Sequence, residues 1–294
     1  MNLNRSTPAF LTTCSRLVLT VVAILALLSS LPSLAQSVAE IRQQLHRPFP
    51  GGVVVLPLGK ESQSPTVTFN DHPVLTLQDE TKAWWAVVGL PLDTRVGVQE
   101  IEVRSAGKTH RLAFDVVDKT YRTQHITLKD TAMVSPPPAT LARIKRELEI
   151  QSEAYKTFSP STPSNILFDP PVQGRLSSPF GLRRVFNGEP RNPHSGLDFA
   201  APTGTPVHSP ANGRILLIGD YYFNGKTIFI DHGQGVISMF CHLSQIVGIP
   251  GDVVKRGDLV GKVGNTGRST GPHLHWNVSL NNARVDPALF LKKQ

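Results

Sequence analysis

Between residue 51 and about residue 130, apolar side chains come in short bursts separated by Gly, Pro, Asp and Asn, the punctuation of a chain that reverses often. Segments 53–58, 66–69, 74–77, 84–90, 98–104, 111–117 and 124–128 have strand length and composition, and their spacing predicts an antiparallel sandwich of the immunoglobulin-like kind. The period then changes. After Pro136-Pro-Pro138, Thr140 is placed to cap a helix whose apolar face is Leu141, Ile144, Leu148, Gln151 and Tyr155, packed on a neighbouring domain. Proline-rich residues 159–171 read as an extended linker. From residue 172 the pattern returns to glycine-punctuated strands at 213–218, 227–231, 236–242, 253–254, 259–263 and 273–280, without a convincing long helix. The expected fold is mainly β, with a sandwich over 36–135, a helix and linker over 136–171, and a compact antiparallel domain over 172–294.

Residues 1–35 differ from both domains. Arg5 and Arg16 precede or flank an apolar run from Leu17 to Leu28, and Ser33-Leu-Ala35 offers the small residues a signal peptidase accepts. Cleavage after Ala35 and export to the periplasm or cell envelope are expected. Membrane contact arises only if this segment is retained. Cys14 lies before the apolar run, the wrong order for a lipoprotein anchor. Cys241 is then the one cysteine of the mature chain, which excludes an intrachain disulfide framework.

Charge narrows the partners. Removing Arg5 and Arg16 lowers the formal net charge from +8 to +6, still basic. An exported basic protein suits an anionic polymer or surface such as peptidoglycan or acidic lipid. The basic residues are scattered and no nucleic-acid motif is present, so nucleic acid is not an expected partner.

Candidate chemistry sits in three separated stretches. In His273-Leu-His275 the strand period of two points both imidazoles to one face. His194 and Asp198 lie four apart in a Pro- and Gly-containing segment that disfavours a helix, and an even spacing also shares a face in an extended chain. Phe240-Cys-His242 supplies a further imidazole, with Cys241 directed away from it. These five side chains, His194, Asp198, His242, His273 and His275, carry the N and O ligands of a catalytic zinc site and exceed the places one ion offers. If three bind metal, two histidines remain to move protons or steady an oxyanion. No His-Glu-x-x-His helix provides a glutamate base. His46, His72, His110 and His125 have no partner at ligand spacing, and Trp84 and Trp85 read as one core and one surface aromatic.

The set His194-Ser-Gly-Leu-Asp198, Ala201-Pro-Thr-Gly-Thr-Pro-Val207, Ile230-Asp-His-Gly233, Cys241-His-Leu243 and Thr266-Gly-Arg-Ser-Thr-Gly-Pro-His-Leu-His275 resembles the lysostaphin-type (LytM-like) zinc metallopeptidases, which cut peptide bridges in peptidoglycan. The resemblance covers about residues 173–291, and the strands before it resemble the β-sandwich module found ahead of this domain in envelope members. It implies an antiparallel peptidase domain of the lysostaphin type, one zinc per chain held by His194, Asp198 and His275, and His242 with His273 as the unligated catalytic pair. The implied function is an exported zinc endopeptidase acting on peptidoglycan cross-links, with envelope proteins as further partners. A noncatalytic LytM-like regulator of cell-wall amidases is the alternative.

Several positions depart from the family pattern. Asn277 stands where a glutamate is common and carries no charge to tune a ligand. Phe240 replaces a frequent tyrosine, and no tyrosine can be matched to the one credited with transition-state stabilisation. Tyr221 and Tyr222 read as β formers, His208 and His232 as structural, and Arg183 and Arg184 as a solvated pair or a meeting point for substrate carboxylates. The Gly251–Gly261 pattern also occurs in lipoyl-carrier barrels, but the modifiable lysine motif is missing.

Overall fold

The run Val53-Val-Val-Leu56 has no polar position because both faces of its strand are covered by protein. In the computed structural model, which describes Met1 and residues 36–126, 136–186 and 188–292, strand Val53–Lys60 pairs antiparallel with Ala83–Gly89, and that strand with Leu75–Gln78. Val54, Leu56, Ala86 and Val88 enter a core shared with Val67, Phe69, Ile101 and Phe114 of a four-stranded sheet. The alternate residues Val53, Val55, Leu75 and Val87 enter a second core with Leu197, Trp276, Leu280 and Val285. One sheet of the amino-terminal module therefore forms a wall of the carboxy-terminal core. Apart from Met1, the leader read in 1–35 lies outside the described residues, among which no helix is long and apolar enough to cross a membrane.

The mainly β class expected from the sequence is what the structure shows, and the differences are local. The segment expected as the seventh sandwich strand, 124–128, does not join the sandwich. Thr123–Ile126 instead pairs parallel with Arg183–Phe186, and residues 127 and 128 lie outside the described residues. The two-residue strand His72–Pro73 completes the four-stranded sheet in its place. Trp84 and Trp85 are both half-buried, and their indole N–H groups donate to the Glu61 carbonyl at 3.1 Å and Asp79 Oδ2 at 2.9 Å.

Two helical readings also change. Helix Val38–Leu45 is not among the elements expected from the sequence, although Ser37 and Glu40 form a reciprocal capping box ahead of buried Val38, Ile41 and Leu45. Helix Pro138–Tyr155 begins at an N-cap of Pro137, and Thr140 lies inside its first turn with its hydroxyl donating to the Pro137 carbonyl at 2.7 Å. Proline at the first helical position gives up a backbone N–H that had no intrahelical partner. Its packed face is Ile144, Gln151, Ala154 and Tyr155, whereas Leu141 and Leu148 stay exposed.

The proline-rich stretch expected as a linker is anchored in the core. Phe168 is fully buried, its ring 5.7 Å from Phe290 and 6.1 Å from Trp276, and its backbone bonds the Phe290 carbonyl at 2.6 Å. Burying such a side chain is worth about 1.5–3 kcal/mol, which holds this stretch against the core.

The carboxy-terminal region is built on an eight-stranded sheet whose central strands are Gly213–Tyr221, Gly225–Asp231, Ile237–Leu243, His273–Leu280 and Leu197–Ala200 in spatial order. One face carries Ile228, Phe240, Trp276 and Val278 into the large core. On the other, Phe229, Ile237, Met239 and Cys241 pack beneath Ala154 and Tyr155 of the long helix. The second face continues past the helix into the site.

Candidate metal centre

Antiparallel register sets Asp198 opposite His275 and Leu197 opposite Trp276. Residues directly opposite share a face, so Leu197 and Trp276 enter the core while Asp198 and His275 rise together on the other side. His194 reaches them from the turn before the strand. That turn needs a glycine: a Cβ on Gly196 would stand 2.5 Å from the Trp276 carbonyl oxygen and 2.7 Å from the His275 ring. Asn277 bonds this turn and not a ligand, its amide donating to the Ser195 carbonyl at 2.6 Å.

The three side chains converge on one point. His194 Nε2 is 2.9 Å from Asp198 Oδ1 and 3.0 Å from His275 Nδ1, and His275 Nδ1 is 2.9 Å from Asp198 Oδ1. All three ligand atoms lie within 4.8 Å of one another. His194 Nδ1 faces the Pro179 carbonyl at 2.8 Å and must donate to it, so Nε2 of the neutral ring carries a lone pair toward the triangle. A carboxylate oxygen and imidazole lone pairs facing one another repel unless a proton or a cation lies among them. The donor set and spacing fit a divalent cation with imidazole and carboxylate ligands. Burial would raise the Asp198 pKa, but the His194 and His275 rings close against its carboxylate hold it well below the carboxylate range. Burial pulls His275 below its ordinary value, partly offset by its bond to Asp198.

His242 and His273 stand beside this triangle with the same orientation logic. Nδ1–H of His242 donates to the Thr266 carbonyl at 2.8 Å, and Nδ1–H of His273 to the Gly271 carbonyl at 2.9 Å, with Ser269 Oγ 3.1 Å away. The two rings are 4.7 Å apart, and His273 Nε2 is 3.9 Å from Asp198 Oδ1. Burial, followed by repulsion from His275, lowers the His242 pKa to about 3.

His242 reaches the site through a break in strand geometry. The register pairs Cys241 with His275, so regular alternation would put Cys241 on the site's face and send His242 into the core. At His242 the backbone takes a φ of 59°, a left-handed conformation uncommon outside glycine, and the ring stands 6.2 Å from His275. Cys241 stays under the helix, and burial raises its thiol to about 12.

The sequence reading thus named the five side chains that the fold brings together. His208 remains exposed and His232 is buried elsewhere. Arg184, read from the sequence with Arg183 as a solvated pair or a meeting point for substrate carboxylates, is placed beside the triangle: its Nη2 donates to Ser178 Oγ at 2.9 Å and lies 3.6 Å from Asp198 Oδ2. A cavity of about 550 Å³ adjoins the triangle, with Arg122, Arg184, Ser178, Thr270, Asp198 and His273 in its lining.

Comparison with known proteins places this geometry. The model of the peptidase family M23 N-terminal domain matches residues 46–119, and that of peptidase family M23 matches residues 192–287. A Pseudomonas aeruginosa protein solved as a peptidase M23 is 51% identical over 85% of this chain and 98% of its own, with a TM-score of 0.74. The chain belongs to peptidase family M23, a family of metallopeptidases. The DD-carboxypeptidase/endopeptidase Mpg of Neisseria meningitidis is 42% identical over 119 residues, 40% of this chain and 27% of that protein. The peptidoglycan DD-endopeptidase ShyA of Vibrio cholerae is 39% identical over 113 residues, 38% of this chain and 26% of that protein. This chain therefore spans about a quarter of the length of these curated relatives.

Proposed function

We propose that the protein is an exported zinc endopeptidase that hydrolyses peptide cross-links of peptidoglycan. The observation that carries this reading is the triangle of His194, Asp198 and His275, with two further imidazoles beside it and a cavity alongside. ShyA, named as a peptidoglycan DD-endopeptidase, supports the substrate class. The leader-like residues 1–35 support export to the periplasm or envelope.

His194, Asp198 and His275 would hold one ion per chain. A zinc ion held there would polarise a carbonyl and lower the pKa of a water toward neutrality. His242, kept neutral by burial and with Nδ1–H held by Thr266, offers Nε2 as the acceptor for a proton from water. The proton taken by His242 passes on to the leaving amine, and His273, with Nδ1–H held by Gly271, directs Nε2 toward the same space and shares in that transfer, a protonated Nε2 being what steadies the developing oxyanion. The left-handed backbone at His242 is the strain that this pairing requires.

Incubating the purified protein with isolated peptidoglycan tests the reading by mass spectrometry of the released fragments. New amine and carboxyl termini within cross-links, lost on chelation and restored by zinc, are expected. A protein that retains almost no zinc and releases nothing from any wall type would instead be a noncatalytic regulator.

A further inference from the structure

The cavity beside the triangle holds two arginines that the chemistry above does not use. Arg184 lies on strand Arg183–Phe186, and the parallel partner Thr123–Ile126 brings Arg122 in just ahead of it, with Arg183 N–H bonding the Arg122 carbonyl at 2.9 Å. Both side chains line the cavity. This explains the placement of the segment expected in the sandwich: as a parallel neighbour it carries Arg122 to the site.

Asp198 presents Oδ1 to the triangle and Oδ2 to Arg184, so one carboxylate separates the guanidinium from the candidate ion. Arg184 Nη2 stands 3.6 Å from Asp198 Oδ2, and the two side chains line the same cavity, so the guanidinium faces the space next to the triangle. The Arg184 side chain is 31% exposed, against 10% for Asp198, and remains open to the cavity. Among the described residues Asp198 is the one acidic side chain in the lining, and its charge already faces imidazoles. The positive field extends further: burial and then the nearby Arg184 and Arg191 pull the Arg268 pKa down, although Glu189 pairs with Arg191 at 2.5 Å.

We propose that Arg184, assisted by Arg122, is a carboxylate-recognition site that selects cross-links bearing a free carboxylate beside the scissile amide. The proposal rests on the endopeptidase reading and narrows its substrate. A guanidinium presents a planar fork of donors that fits a carboxylate and gains little from a neutral amide. A diaminopimelate-type cross-link carries such a carboxylate, whereas its amidated form and a polyglycine bridge do not.

The experiment compares matched cross-linked peptides, free or amidated at that carboxylate, with the zinc-loaded full chain. One charge-assisted hydrogen bond predicts a kcat/KM about tenfold or more higher for the free form. Arg184→Gln and Arg122→Gln, each checked for zinc content, should bring the ratio toward one, and Arg184→Lys should restore part of it. Equal rates on the two peptides in the unmodified chain would overturn the proposal. So would an unchanged ratio in both glutamine variants, or an equal loss on both peptides, which would mark Arg184 as a support for Asp198 alone. Calorimetric binding of the same two peptides reads the discrimination without turnover. Absence of hydrolysis would therefore sink the endopeptidase reading, while the binding ratio decides the carboxylate site.

Discussion

His232 offers a quantitative test of how tightly the core beneath the site is sealed. The ring is 4% exposed, and both nitrogens are satisfied in the neutral form. Nδ1–H donates to the Asn212 carbonyl at 2.8 Å, and Nε2 accepts from the Ser238 hydroxyl at 2.9 Å. Burial pushes its pKa from 6.5 down to about 4, with the Asn212 bond and Asp231 recovering part of the loss. The unfolded chain thus takes up a proton near pH 6.5 that the folded chain refuses until about pH 4, and stability present above 6.5 is lost as pH falls through that window. A gap of about 2.5 units corresponds to about 3 kcal/mol in full, and to about 2 kcal/mol by about pH 5. His46, His242 and His275 are also lowered, so the total acid loss is a sum and His232→Gln is needed to isolate one share. Urea unfolding of both proteins in chelator, at about pH 7.5 and about pH 5, should show the parent losing about 2 kcal/mol more than the variant. Parallel losses would refute the claim that His232 is buried as a neutral ring.

Two other substitutions probe the site and its support. Gly196→Ala forces a methyl against the His275 ring and the Trp276 carbonyl. Zinc retention measured after dialysis should fall at least about tenfold, since a misplaced ligand costs on that scale, and unaltered retention would show that the turn can yield. Asn281 donates to the Gly89 carbonyl at 3.0 Å and accepts from the Gly89 N–H at 2.7 Å, both buried. Asn281→Ala should lower the unfolding free energy by about 2–3 kcal/mol, because it orphans a buried donor and acceptor where the amino-terminal sheet meets the large core. A loss within about 0.5 kcal/mol would mean that water replaces the amide there.

The site was legible because its chemistry is unusual at fixed spacings: a His-x-His strand, a His and an Asp four apart, and one more histidine in a strand. Assignment among the five was not, since strand period says which side chains share a face on one strand and nothing about register between strands. His242 shows this limit, because its approach depends on a backbone break that alternation excludes. The capping box at Ser37 and Glu40 was readable but masked by the adjoining leader. Prolines around Ile166, Leu167 and Phe168 suggested a linker, yet three consecutive apolar residues were the stronger signal, and all three are buried. The displaced strand Thr123–Ile126 carries no local mark of its partner, because parallel pairing across a long insertion is decided by tertiary packing.

The division of labour among the histidines is tested most directly by measuring zinc stoichiometry and cross-link turnover together in His242→Ala and His273→Ala. Each variant should keep about one zinc per chain while kcat/KM falls by at least about 100-fold, the usual worth of a positioned general acid or base. Turnover near the parent's in either zinc-loaded variant would contradict the assignment of proton transfer to that pair.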